Sequence, residues 1–278
     1  MGILTLEKKA LFSFLFLSGL ALLAILFPII SSSDPNYFDP NLIGEPKSPS
    51  FAHLFGTDDL GRDILIRCIY GSRISLMVGF ISVGISITIG TLVGVVSGYA
   101  GGVADEIIMR IVDMFMAIPT LFLILTIQVM MEPSITNVMV VIGLTSWMGV
   151  SRLVRAEVLS VKNRLFITAA KARGISLGPL LFKHILPHCL NPVIVAAMLG
   201  MGSAILVESV LSFLGLGVQP PHASWGNMLE NSLSFLRQAP WMALIPGVLI
   251  TLTVLALNFL GDGIRTYFDP RSKTSARH

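Results

Sequence analysis

Charge is what this sequence has least of. Only 13% of its residues are Asp, Glu, Lys or Arg, against roughly 25% in an ordinary soluble domain. Hydrophobic residues make up 54%, and the mean hydropathy is +0.81. A water-soluble fold would have to bury nearly all of this apolar surface, and one domain of this size cannot. Cysteine is almost absent too. Cys68 and Cys189 stand far apart with no metal-ligand spacing around either, so neither a disulfide framework nor a zinc site is written here. There is no G-x-x-x-x-G-K-[ST] segment, which excludes nucleotide binding by that phosphate cradle. No serine sits in a G-x-S-x-G elbow, and no other catalytic constellation is present, so the chain reads as non-catalytic. The net charge of +3 and pI near 9.0 come without a basic stripe interleaved with aromatics, which sets nucleic acid aside as a partner.

Long uncharged runs are what the sequence has in plenty. Lys9 to Asp34, Arg73 to Asp105, Asp113 to Glu132, Glu132 to Arg152, His188 to Glu208 and Arg237 to Asp262 bracket six of them. Each is about 18 residues or longer, enough for a helix to cross a hydrocarbon core of ~30 Å. Backbone groups in lipid must be satisfied within the segment, and the ~10-residue alternation of a barrel strand is missing. The expectation is an all-α polytopic membrane protein with six transmembrane helices: Leu11–Ile30, Ile74–Gly98, Ile107–Met131, Ile135–Leu153, Pro192–Leu214 and Trp241–Leu260. The apolar stretch Ala10–Ile30 is too long for a signal core, and Pro28-Ile-Ile-Ser offers no small-x-small cleavage site, so it reads as a retained first helix. Ser31–Phe55 is Pro-rich extended loop.

Finer signals lie within these elements. Gly90, Gly94 and Gly98, at spacing four, cut a groove for close helix approach. Arg110 and Asp113 are spaced to pair locally, and Pro119 predicts a kink in the third helix. Trp225 and Trp241 sit where interfacial anchors belong. Lys and Arg divide thirteen against five between the two sides, with Arg164, Lys171, Arg271 and Lys273 in the larger group. The positive-inside rule then places both termini in the cytoplasm.

The basic cytoplasmic piece between helices four and five, Ser151–Pro187, also carries Leu159, Leu165, Phe166, Ala169 and Ala170 at helical spacing. Gly174 breaks it, Ser176 can cap a second short helix, and Pro179 fits that helix's first turn. Such a segment is either an amphipathic linker lying on headgroups or a docking loop. Within it, Thr168-Ala-Ala-Lys-Ala-Arg-Gly174, nine residues, then His184-Ile-Leu-Pro187 resembles the coupling loop of ABC importer permeases. That pattern is Glu-Ala-Ala, three residues, Gly, nine residues, Ile-x-Leu-Pro. Ala169, Ala170, Gly174, Leu186 and Pro187 match, while Thr168 stands in place of Glu and His184 in place of Ile. Phe55-Gly-Thr-Asp-Asp-Leu-Gly-Arg-Asp63 with Gly71–Leu76, Leu211–Pro221 with Ser224-Trp-Gly226, and Asn258–Arg265 with Phe268–Arg271 are similar to segments of the dipeptide/oligopeptide/nickel permeases, the binding-protein-dependent inner membrane components.

The resemblance implies a type I ABC importer permease fold in a bacterial inner membrane. Residues 1–71 would form an accessory helix and outer segment, 72–262 the shared core with its coupling loop at about 160–187, and 263–278 a cytoplasmic tail. It implies a homologous second permease subunit, two ABC ATPase subunits that bind the ATP and Mg, and an extracytoplasmic solute-binding protein; the chain itself holds no cofactor. Di- or oligopeptides are the first expectation for substrate, and nickel or a nickel chelate the alternative. An ion-coupled secondary transporter would need clustered intramembrane charge, and Glu208 is nearly isolated within its run. Burying such a side chain mid-membrane costs about 2.5–3.5 kcal/mol on insertion scales, so Glu208 faces either the translocation pathway or a structural hydrogen bond. His184 and His188, four apart across Pro187, complete no metal set. Asp58, Asp59 and Asp63 with Arg62 and Arg67 read as an ion-paired motif rather than a calcium site.

Overall fold

The structure is a computed structural model that describes residues 3–268. The C-terminal half of the Phe268–Arg271 motif, and the charges of Arg271, Lys273 and Arg277, lie outside the described residues. In chain order the helices are α1 (Ile3–Ile30), α2 (Ile64–Ala100), α3 (Gly102–Met116), α4 (Thr120–Val129), α5 (Ile135–Val161), α6 (Leu165–Ala172), α7 (Leu177–Pro179), α8 (Leu186–Phe213), α9 (Trp225–Ser232) and α10 (Trp241–Phe268). Among the described residues, five rods are long and apolar enough to cross a membrane, and the bent pair α3–α4, counted as one span, brings the number to six. The chain is therefore an all-helical, multi-pass membrane protein.

α1 and α10 each run eight residues beyond their sequence expectations, and α2, α5 and α8 outrun theirs for an electrostatic or steric reason. α2 begins ten residues before Ile74, because Asp63 caps it by accepting the Ile66 N–H and because Arg67 is neutralised by Asp58. α5 continues past Leu153 to Val161. Its Arg152 and Arg155 are paired with Asp113 and Asp105 of α3, so the charges that bounded the apolar run do not end the helix. α8 is continuous with α7 through a π-helical stretch, Leu180–Ile185, forming one rod from Leu177 to Phe213. Pro187 explains the wide turn: its ring would clash with the carbonyl four residues back in a regular helix. The Leu186 N–H instead reaches the Leu181 carbonyl.

Two local readings are corrected. Pro119 does more than kink the third span: it separates α3 from α4 with a 74° bend. Asp113 pairs with Arg152, thirty-nine residues away, rather than with Arg110. The close-approach reading of the glycines holds. A Cβ on Gly94 would stand 2.5 Å from the Ser151 carbonyl oxygen, and one on Gly98 would stand 2.9 Å from Val158 Cβ. α2 and α5 thus meet backbone to backbone, and α8 packs beside them around Val78, Val138, Ile142 and Ala204. α1 lies at the periphery on α10 and α2, most of its apolar surface turned outward.

Candidate functional site

The loop between α5 and α8 is built around Gly174. Its φ is +75°, the left-handed region that favours glycine. The Gly174 N–H donates to the Lys171 carbonyl (2.9 Å) and the Ile175 N–H to the Ala170 carbonyl (3.3 Å). This paired return of two donors onto the last turn is the Schellman termination, which halts α6 and turns the chain. A Cβ at Gly174 would meet no described atom within 4 Å, so only backbone conformation restricts that position. Ser176 occupies the N-cap of α7 as expected, yet makes no capping hydrogen bond among the described residues.

α6 is anchored by Ala170, which the sequence reading named, and by residues that it passed over. Ile167 is fully buried, and with Ala170, Leu180 and Ile185 it packs on Val154, Val158 and Val161 of α5 and Cys189 of α8. The signal was there: Ile167, Ala170 and Leu180 are apolar residues beside a glycine turn. The apolar residues noted at helical spacing divide between the two faces. Leu165 is 89% exposed, Phe166 and Ala169 also face outward, and Thr168 lies beside them. Leu177 and Phe182 extend this exposed apolar surface. Pro187 is exposed and Leu186 half-buried at the start of α8. Phe166 packs its ring 5.0 Å from His188, which places that histidine in an aromatic contact.

The same segment grips the corner between α2 and α3. Lys162 Nζ donates to the Gly98 carbonyl at 2.7 Å. Lys171 Nζ lies 5.2 Å from the centre of the Tyr99 ring. Arg155 binds both oxygens of Asp105, each at 2.6 Å.

A cavity of about 470 Å³ opens between α2, α5 and α8, with α3 and α4 at its margin. Ser82, Ser86, Thr145, Ser146 and Ser203 contribute hydroxyls among alkyl groups, and no ionisable side chain is among its lining residues. Ser82 donates to the Met139 carbonyl (2.9 Å), Thr145 to Val141 (2.8 Å) and Ser146 to Ile142 (2.7 Å). Their protons are committed to helix carbonyls, so these walls present mainly acceptor lone pairs.

Glu208 is not among the residues lining that cavity. It is fully buried, accepting from Ser212 Oγ at 2.7 Å and from Ser75 Oγ at 3.5 Å. Ser212 Oγ in turn accepts the Val218 N–H, and Ser75 Oγ accepts the Trp225 N–H. The carboxyl thus knits α8 to α2 and to the turn leading into α9. Trp225 is correspondingly no interfacial anchor: it is buried, with its indole N–H on the Cys68 carbonyl at 3.0 Å. Trp241, half-buried, donates to the Thr57 carbonyl.

In the segment before α2, Asp58 accepts from Arg62 Nε at 2.7 Å and from the Leu60 and Arg62 N–H groups, with Arg67 Nε at 3.6 Å. Asp63 meets His53 at 2.9 Å. Asp58 and Asp63 are thus held by basic side chains and backbone donors. Burial, reinforced by the neighbouring Asp58 charge, pushes the Asp59 carboxyl above the usual range.

Residues 90–274 match the family described as the binding-protein-dependent transport system inner membrane component. The chain belongs to this family. It is a membrane permease component, and relatives extend the likeness beyond the matched core. A dipeptide transport system permease protein of Alkalihalophilus pseudofirmus is 42% identical over 268 residues, covering 96% of this chain and 88% of the relative. An oligopeptide transport system permease protein of Bacillus subtilis is 38% identical over 265 residues, covering 95% and 86%. The fold is similar to that of the MetNI methionine ABC transporter in an inward-facing conformation, with a TM-score of 0.60 and 19% identity over 73% of this chain and 97% of that one.

Proposed function

We propose that this permease component is half of the membrane channel of an ATP-driven peptide importer, and that its α6 loop couples the channel to the ATPase subunits. The observation that carries the reading is the exposed apolar face of α6. Leu165, Phe166 and Leu177 face outward beside Thr168 and Ala169, while Ile167 and Ala170 root the helix in the core. Exposed apolar surface on a loop between membrane helices is costly unless a partner covers it. The Gly174 turn, with Leu186 and Pro187 at the start of α8, supports reading this segment as the coupling loop.

In this reading residues 72–262 form the transport core, residues 1–71 an accessory span and outer segment, and 263–278 a tail, with both termini cytoplasmic. A homologous second permease supplies the other half of the pathway, and a solute-binding protein delivers substrate outside. Two ABC ATPase subunits bind ATP and Mg; the chain itself performs no hydrolysis. Closure of the ATPases on ATP displaces α6, and the cavity between α2, α5 and α8 changes access. Relatives named for dipeptide and oligopeptide transport support a peptide substrate. The hydroxyl- and alkyl-lined walls suit it: they offer weak, side-chain-tolerant contacts rather than the imidazole, thiol or carboxylate ligands that bare nickel would favour. Glu208 serves as a structural hydrogen-bond centre rather than a substrate contact.

Two substitutions test the coupling role. Gly174→Val forces a β-branched residue into the left-handed region at about 1–2 kcal/mol, with no steric clash to obscure the result. Leu165→Glu leaves the backbone free and changes only exposed surface. Both variants are expected to reach the membrane at parental levels, to lose co-purifying ATPase and to lose dipeptide uptake. Full association and full uptake in both would make α6 a lipid-facing linker.

A further inference from the structure

We propose that Arg155, Lys162 and Lys171 form a second transmission contact, through which displacement of the α6 loop is delivered to the α2–α3 corner and so to the cavity walls. The proposal rests on the reading of α6 as the coupling element. All three cations belong to the α5–α6 segment, and all three meet the stretch from Gly98 to Asp105 through different chemistry: a carboxylate, a carbonyl and an aromatic face. Packing locks the same place, since Val158 fills the space where Gly98 has no side chain. The corner itself turns on Gly101 and Gly102, both with positive φ.

The corner leads directly to the pathway. α2 carries Ser82 and Ser86 and α3 carries Met116, all lining the cavity. α3 is lightly buried: Asp105 and Val112 are its buried residues, and it is linked to α5 by the Asp105–Arg155 and Asp113–Arg152 pairs and by the edge-on contact of Phe115 with Trp147. An element tied to α5 by two ion pairs and one ring contact follows the helix that bears those partners. Asp105, the more enclosed member, is accordingly a positioning residue: it touches no cavity and acts through the place it gives α3.

The test uses the intact transporter in proteoliposomes, with its partner permease, ATPases and binding protein, and reads dipeptide transported per ATP hydrolysed. Asp105→Arg is expected to retain the ATPases but to lower that ratio by about fivefold or more, the scale of a lost coupling energy. The exchanged pair Asp105→Arg/Arg155→Asp restores the opposite charges and is expected to return to within about twofold of the parent. Should Asp105→Arg fail to assemble, Lys162→Met provides the milder variant, expected to lower the ratio by about twofold. An unchanged ratio in whichever variant assembles, or an exchanged pair no better than the single reversal, would overturn the proposal. The docking reading fails separately: it falls if Gly174→Val keeps its ATPases, whereas the transmission contact falls if coupling survives loss of the ion pair.

Discussion

Asp59 shows how one carboxylate can work against the fold that contains it. Its Oδ1 is buried without a hydrogen-bond partner among the described residues, beside Asp58, which takes the Arg62 and Arg67 cations for itself. Burial and then the Asp58 charge raise its pKa from an ordinary 3.8. The folded state therefore holds the proton more tightly than the unfolded chain does. The stability this contributes is complete below the unfolded value and is lost as pH rises through the folded one. At neutral pH the ionised group is a cost. Asp59→Asn is expected to melt about 2 °C above the parent at pH 7, with the difference shrinking as pH falls toward 4. Thermal denaturation in detergent across that range checks it, and a variant less stable at pH 7 would contradict the sign.

At the level of elements, the α2–α5 contact tolerates no side chain at its glycines. A side chain on Gly94 would collide with α5 backbone, whereas one on Gly84 of the same helix meets nothing described within 4 Å. Gly94→Val is therefore expected to cost about 1–3 kcal/mol through overpacking and to lower the melting temperature by about 5 °C, while Gly84→Val leaves it near the parental value. Equal melting temperatures for the two variants would mean that α2 and α5 do not approach as described. This contact was legible in sequence because spacing four on a helix is geometry that a linear pattern carries. So was Gly174, where a break between two helical patterns requires a reversal. What escaped is what pairing across the fold decides. Arg110 and Asp113 look like partners by spacing, but Arg152 arrives from another helix. Arg152 looks like a helix boundary until Asp113 neutralises it. Glu208 left two readings open, because no local pattern reveals that Ser75, 133 residues away, will meet it. The division of α6 into a rooted and an exposed face also depended on where α5 and α8 lie, which periodicity alone does not specify.

At the scale of the whole molecule, orientation ties the elements to the transport cycle. In the proposed orientation, argued from the charge asymmetry of thirteen against five, α6 and both termini share one side, and the segment before α2 lies with α9 on the other. The burial pattern now selects the reporters for that arrangement. Asn227 lies within α9 but is buried, so a cysteine there would resist reagent from either side. His222 and Lys47 are exposed and belong to the proposed outer side, and Arg164 and Arg173 are exposed at the two ends of α6. Cys68 and Cys189 are both buried, which keeps background labelling low. In intact spheroplasts, a membrane-impermeant maleimide is expected to label Lys47→Cys and His222→Cys. It should reach Arg164→Cys and Arg173→Cys only after the membrane is opened. Each substitution removes at most one positive charge from a total excess of eight, too few to reverse insertion. Labelling of position 164 from outside would place α6 away from cytoplasmic ATP, and a loop on that side cannot receive work from ATPase subunits whatever its sequence resembles.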